Sequence, residues 1–541
     1  MNTVGLIFGV SVACAWAFSL LVFRSGIKSS ATSSSKAKKK NSITPSYPPG
    51  PTPCPLIGNV VSFIQLMTKS EKTLIRLASE YGQTCMLWLA RNPVLIINSP
   101  IVAKDLLDKR GTLYSSRPTF NDFRAKAWPY RLVTTPAGDT FRLLRRIYHS
   151  LLGPQQSAGL RIYQDHESIV LINALIERPE GFLNEVERFG MSVIFSASWG
   201  VRLAKLDHPI MTEYYAIWEA MLKYFQPGSL AIDFFPFLAH LPEFLQPARR
   251  LALSLRRREM RLNRAFLRTV HQQVKKGAAP NCFGSLLIKL QEDEGLDDES
   301  ACDIIAMLIG AGSDTTSSYL QSFFKVIALH PHTMQKAQAE LDQVVGLSRI
   351  PTWSDEMSLP YVRALIKEVH RWSPIGSLGI PHATTKDDNY EGKSIPKGTI
   401  VFPNLTVLSR SPERYENPDA FDPARFLGDD LDASSSALDP DYKKRDHFHY
   451  GFGRRLCQGI FVAEASLFIA VSRVLWAFEI SPDPAAAPLD MDAKIDGLVT
   501  KPKPYRVSIK VRSAVHDRTI REAFRQSKTD ILNFDDIVLD G

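Results

Sequence analysis

Residues 450–459 read Tyr-Gly-Phe-Gly-Arg-Arg-Leu-Cys-Gln-Gly and carry the densest chemical signal in the chain. Gly451, Gly453 and Gly459 permit a tight loop that other residues disfavour. Such a loop can turn backbone N–H groups toward one sulfur. Those donors, the N-terminus of the apolar helix expected over Ile460–Trp476, and the cations Arg454 and Arg455 favour a thiolate at Cys457. A thiolate held this way is a nucleophile or a metal ligand; a structural cysteine in a glycine turn is the plainer alternative. No His–Asn pair lies nearby to serve a cysteine-protease mechanism, which favours ligation. Cys14, Cys54, Cys85, Cys282 and Cys302 are sparse and form no Cys-x-x-Cys pair. They are no disulfide framework, and a reducing compartment is expected for the bulk of the chain.

A second cluster interrupts a long apolar stretch. Glu299–Leu329 has helical periodicity, yet its middle reads Ala311-Gly312-Ser313-Asp314-Thr315-Thr316. Hydroxyl side chains can bond back to carbonyls one turn earlier and bend a helix. Gly312 removes a side chain and would let a ligand approach. Two helices meeting at an N-cap Ser313 or Asp314 would give the same pattern. Glu368 and Arg371 share a helix face through their i,i+3 spacing; alone, such a pair is usually a surface ion pair.

These segments, in this order, resemble the motifs of the cytochromes P450. The cysteine loop is similar to the haem-binding signature Phe-Gly-x-Gly-x-Arg-x-Cys-x-Gly, with Tyr450 in place of the first Phe. The resemblance implies haem b as cofactor and Cys457 as its axial iron ligand, with Phe452 and Gly459 beside it. A thiolate ligand pushes electron density onto iron and favours O–O cleavage. Ala311–Thr316 resembles the distal-helix motif, which gives Thr315 the handling of dioxygen, Asp314 the supply of protons, and Ala311 a place in the substrate pocket. Glu368–Arg371 resembles the ExxR motif, and Arg425 in Asp422-Pro-Ala-Arg-Phe426 would join it as a structural lock. Arg145 in Phe141-Arg-Leu-Leu-Arg145 resembles the Trp-x-x-x-Arg propionate partner, with an indole N–H lost at Phe141. His382, Arg455 and, as a weaker match, Arg117 would also contact the propionates.

The resemblance covers about residues 48–511. Residues 48–59, 380–399 and 446–459 bring it closer to fungal microsomal P450 monooxygenases of secondary metabolism, of the O-methylsterigmatocystin oxidoreductase type. It implies a mainly α fold with small β-sheets, behind a single N-terminal transmembrane helix. It also implies a monooxygenase that uses O2 and NADPH-derived electrons to oxidise a lipophilic small molecule. NADPH–cytochrome P450 reductase would be the donor, with cytochrome b5 as a second one. Lys443, Lys444, Arg445, Arg454 and Arg455 would steer that partner. Substrate contacts are expected from 120–130, 224–237, 307–315 and 375–380, including Leu378; the last segment holds no charge that could capture a carboxylate. The alternatives are an isomerase or dehydratase of the same fold that uses no O2, and a housekeeping or xenobiotic hydroxylase. The Asp314–Thr315 pair counts against the first.

The elements that must position these residues follow from the rest of the chain. Of 541 residues, 45% are hydrophobic and 22% charged, an ordinary globular balance that excludes a disordered or collagen-like chain. Thr3–Phe23 holds 21 uncharged residues, enough to cross a hydrocarbon core about 30 Å thick. It is the one such run, which excludes a many-span transporter. Basic residues follow it rather than precede it, unlike a cleaved signal peptide. They place the body in the cytosol, on the endoplasmic reticulum membrane in the resemblance. The net charge of +9 is mostly this local flank, with seven basic residues from Arg24 to Lys69, so no nucleic-acid partner is expected.

The expected organisation is an anchor over 3–23, a Ser/Lys linker and Pro-rich hinge over 24–59, a catalytic domain over 60–511 and an extension over 512–541. Helical periodicity marks 71–81, 141–151, 165–177, 251–275, 299–329, 331–345 and 359–372. Strand signals are short: Pro93–Asn98, and a small sheet over Ile380–Phe402 with turns at Glu391-Gly392 and Pro396-Lys397-Gly398. Strands and helices do not alternate, which argues against a doubly wound sheet. The tail beyond Ser513 is charged, and reads as a helix or as disorder.

Overall fold

The computed structural model describes residues 46–539 apart from 56, 69, 119–126, 226–240, 496 and 528–530. The expected anchor over 3–23 and the linker to residue 45 lie outside the described residues. The architecture is built around one helix, Asp298–Leu329, whose 32 residues span about 48 Å. Its start is set by Asp297, whose carboxylate accepts the N–H of Ser300. Apolar or small residues stand on nearly every side, so the helix is buried around its girth and runs through the core.

It is one helix rather than two. Ser313, Thr315, Ser317 and Ser318 each donate to the carbonyl four residues back, at 2.7–2.8 Å. Their hydroxyls are thus satisfied without breaking the backbone ladder. The helix Phe182–Trp199 crosses this central helix at Gly190, where a Cβ would meet Ser317 Oγ at 2.5 Å. Phe182–Trp199 is a helix the sequence reading omits: fifteen of its residues are buried, the polar Glu185, Arg188, Ser192 and Ser196 among them, so its polar positions mark no solvent face. Pro209–Phe225 and Phe283–Glu294 are likewise helices that the sequence reading omits.

Two apolar cores flank the central helix. One joins Phe195, Trp199 and Phe266 to the helix Pro209–Phe225, which lies over the site and is called the roof helix below. The other joins the central helix to Pro331–Val344, Pro360–Trp372 and Ile460–Ala477. Among the described residues Ile460–Ala477 is the one helix long and apolar enough to cross a membrane, and most of it is buried in this core.

The strands of 380–402 do not form one sheet. Asp388–Tyr390 and Lys393–Ile395 make their own hairpin. Its turn residues Glu391 and Gly392 have φ of 51° and 76°, the left-handed geometry of a two-residue hairpin loop. Ile400–Pro403 instead pairs parallel with Asn92–Ile97, and His382–Ala383 pairs with Ile400–Val401, which fixes His382 on a four-stranded sheet. The Pro-rich run is docked on that sheet: the Pro49 carbonyl accepts the N–H of Met86 at 2.8 Å. The tail is folded too. Ala514–Gln526 is a helix, and Leu532–Asn533 pairs parallel with Val201–Arg202.

Candidate active site

The cysteine loop turns at Gly451 and Gly453, with φ of 78° and 47°. At Gly453 a Cβ would lie 2.5 Å from the Leu107 carbonyl oxygen, so the loop is pressed against a neighbouring turn. Cys457 N–H donates to the Tyr450 carbonyl at 2.8 Å, and the Gly459 N–H faces the sulfur. The sequence expectation of a favoured thiolate needs correction. Burial pushes the Cys457 thiol up, and the Gly459 N–H with the more distant Arg145 only partly offset it. Arg454 is exposed, and Arg455 points elsewhere. A cation at the sulfur is what would hold it ionised.

Arg455 donates to the carbonyls of Ser115, Leu132 and Thr135 at 2.6–3.0 Å. Its guanidinium lies 3.6 Å over the Phe141 ring, so the residue that replaces the expected Trp holds this arginine by its face. Arg117 is buried and donates to the carbonyls of Ile380 and Pro381, while its Nε has no partner among the described residues. Arg145 is half-buried and donates to Leu456 O at 3.2 Å. His382 Nδ1 meets the Tyr114 carbonyl at 2.9 Å. Burial lowers all four groups: Arg117 to about 9, Arg455 to about 8, with Arg145 lowered and His382 held neutral. Arg117 and Arg145 each repel Arg455, and among the described residues no carboxylate pairs with any of the three. Buried cations are normally matched by an anion. The two carboxylates of a haem fit this set, and the donors converge on the side where Cys457 stands.

A cavity of about 280 Å³ adjoins them. Of the residues expected at the site, Arg117, Ala311, Thr315 and Leu378 line it. Met307 and Gly310 from the central helix, and Ile375, Gly379 and Ile380, complete two of the expected substrate segments. Gly312 does not face the cavity: a Cβ there would meet Ile194 at 2.8 Å, so its missing side chain admits the neighbouring helix instead of a ligand. Gly310 takes the ligand-side role, with the Trp218 ring laid on its Cα.

Residues 119–126 and 226–240, which hold most of the other two expected segments, lie outside the described residues. In their place the wall comes from Arg131, Val133 and Thr134, from Leu498 and Val499, and from Trp218, Met221 and Leu222 of the roof helix. The i, i+3, i+4 spacing of those last three was the signal available in the sequence. Arg131 is not a free charge, because Asp303 and Glu259 pair with it at 2.6 and 2.7 Å.

Thr315 Oγ1 donates to the Ala311 carbonyl. Asp314 does not line the cavity. It is buried on the adjoining face of the helix, where Lys501 Nζ reaches its carboxylate at 2.8 Å. Arg445 also departs from expectation. Phe452 is packed against Phe448, and the Arg445 guanidinium sits 4.8 Å from both rings, fully covered. Arg445 therefore braces the loop and offers nothing to a partner, whereas Lys443, Lys444 and Arg454 remain exposed.

Glu368, Arg371 and Arg425 come together below the loop. The Glu368 carboxylate accepts from Arg371 Nε and Nη2 at 2.7 Å, from Arg425 Nε at 3.1 Å and from Asp422 N–H at 2.7 Å. Glu368 and Arg371 have no exposed side-chain surface, so this is a buried lock rather than a surface pair. Sequence reasoning missed the group behind the loop. His370, His447 and His449 stack, all held neutral by burial. The Tyr450 hydroxyl donates to Glu464, which burial pushes up to about 7. Tyr450 in place of Phe thus brings its own acceptor.

The family model described as Cytochrome P450 matches residues 48–509. The chain is a cytochrome P450. Its similarity extends to cytochrome P450 monooxygenase polD of Polytolypa hystricis, 64% identical over 91% of this chain and 95% of the relative. Cytochrome P450 monooxygenases virE of Hypocrea virens and fogE of Aspergillus ruber are 35% and 34% identical, each over 88% of this chain and 87% and 89% of their own. This P450 is a monooxygenase of the fungal type, and its cofactor is haem iron.

Proposed function

We propose that this P450 is a membrane-tethered monooxygenase that hydroxylates or otherwise oxidises a lipophilic small molecule in a fungal secondary-metabolite pathway. When bound, haem supplies the oxidising chemistry. Cys457 would hold its iron, while Arg117, Arg145, Arg455 and His382 would hold its propionates. The apolar wall of Leu378, Ile380, Met221 and Trp218 excludes water and orients a neutral substrate. Thr315 places a hydroxyl in the cavity wall. Asp314, released from Lys501, would pass protons toward it. Thr3–Phe23 tethers the chain to the endoplasmic reticulum membrane with its body in the cytosol. Lys443, Lys444 and Arg454 steer NADPH–cytochrome P450 reductase, with cytochrome b5 as an alternative donor.

The observation that carries this reading is the convergence of three guanidinium groups and one imidazole, without a paired carboxylate among the described residues, between the cysteine loop and an apolar cavity. The test is mass spectrometry of extracts from the source organism with and without this gene. A precursor one oxygen lighter than the lost product supports it. A lost product that differs from its precursor by rearrangement alone, with equal mass, overturns it.

A further inference from the structure

The tail beyond Ser513 has no part in the chemistry above, yet it is built into the body at three levels. Its helix Ala514–Gln526 buries Ile520 completely, and His516 meets the Trp476 ring edge-on at 4.6 Å. Ser527 Oγ then bonds His166 Nδ1 at 2.7 Å. Beyond it, Leu532 and Asn533 pair in parallel with Val201 and Arg202. That two-residue strand lies in sequence between the helix Phe182–Trp199 and the roof helix.

The next residue is the anchor. Phe534 is buried, with its ring 4.9 Å from Phe195, 5.5 Å from Phe266 and 5.5 Å from His208, each in an edge-on contact. These three rings belong to three different parts of the cover: Phe182–Trp199, the helix Pro247–Lys275, and the residue that starts the roof helix. His208 caps that helix directly. Its carbonyl accepts from Met211 and Thr212, and its Nδ1 accepts from Ile210 at 3.2 Å. That bond turns Nε2 outward, where Asp535 stands 3.4 Å away. Ile537 closes the same core. Two turns and more along the roof helix, Trp218, Met221 and Leu222 form the cavity wall.

We propose that the tail is an intramolecular strap and that Phe534 is a positioning residue, fixing the base of the roof helix and through it the wall that meets the substrate. The strap acts on the end of a helix whose other end stands at the cavity, and helix ends are where local opening begins. A cover held at its base closes on a large ligand and has little effect on a small one. This inference rests on the reading of the cavity as the substrate site.

The test uses the full haem-loaded chain with Phe534→Ala and the milder Phe534→Leu, which keeps a buried apolar side chain if the first fails to fold. Hydrogen exchange reads the helices, and optical titration reads two probes, imidazole and the bulky azole clotrimazole. Exchange over 209–225 should rise about tenfold in Phe534→Ala, and less in Phe534→Leu, with 310–329 unchanged. Clotrimazole should bind about fivefold more weakly while imidazole affinity shifts by less than about twofold. Unchanged exchange over 209–225 overturns the strap. Equal effects on both azoles overturn its link to the cavity. Failure of the haem reading itself would look different, as an absent azole band in the wild type.

Discussion

Replacing Gly310 by Ala probes the roof of the cavity without touching a charged or ligating group. A Cβ at this position would stand 2.1 Å from two carbons of the Trp218 ring and 2.8 Å from a third. Carbon atoms need about 3.5 Å, so the indole must withdraw by roughly 1.4 Å. Its Nε1–H is buried without a partner among the described residues and the ring is part of the wall, so the movement reshapes the space a substrate occupies. Overpacking of this kind costs about 1–3 kcal/mol. Chemical denaturation of the haem-loaded protein measures that cost, and optical titration with clotrimazole measures the change of shape. The double variant Gly310→Ala/Trp218→Leu should recover at least about 1 kcal/mol of the loss, because the clash and its partner are removed together. Stability equal to wild type in Gly310→Ala, or no relief in the double variant, would refute the placement of Trp218 on the central helix.

Other substitutions follow from the same geometry. Glu368→Gln leaves Arg371 buried without a carboxylate and should cost about 3–5 kcal/mol in denaturant titrations, with haem content falling in parallel. Arg145→Met removes a half-buried cation that has no carboxylate partner among the described residues. Haem affinity should fall about tenfold, the low end for a charged hydrogen bond because the group is partly solvated, while the thermal midpoint of haem-free protein should not fall. Burial alone would raise Glu167, but Arg188 and Arg202 outweigh it and hold the carboxylate below its ordinary range. Its contribution to stability is therefore present above the unfolded pKa, near 4.5, and lost as pH falls through the folded value. Glu167→Gln should lower stability at pH 7 and flatten its acid-side decline, measured as thermal midpoint against pH.

The cysteine loop and the central helix were legible because each is specified locally, by glycine conformation and by a long, mostly apolar run, whereas the Glu368–Arg371–Arg425 set came only with the family resemblance, since i,i+3 spacing alone reads as a surface pair. What was not legible depended on which neighbour each side chain meets. One residue along a helix turns a side chain by about 100°, so a motif shows that a glycine stands near the site without showing that Gly310 faces the cavity and Gly312 faces Ile194. The same reasoning applies to Asp314 and Thr315, adjacent in sequence yet on different faces, one held by Lys501 and the other lining the cavity. Arg445 looked like a surface cation because composition carries no record of the two phenylalanine rings that enclose it. Phe182–Trp199 was missed for the opposite reason, since its polar positions Glu185, Arg188, Ser192 and Ser196 are buried and mark no solvent face. The tail's role depends on pairings across more than 300 residues of sequence, beyond the reach of any local pattern.

The unmatched arginines have a consequence for the life of the protein in the cell. Three guanidinium groups gathered without counter-charges among the described residues make the haem-free chain an unfinished fold, and a ligand that binds only the native state stabilises it in proportion to the logarithm of its free concentration. Marginally folded chains are continuously removed by proteases. The abundance of this enzyme is therefore tied to the haem supply of its cell: under iron starvation the protein should disappear while its messenger RNA persists.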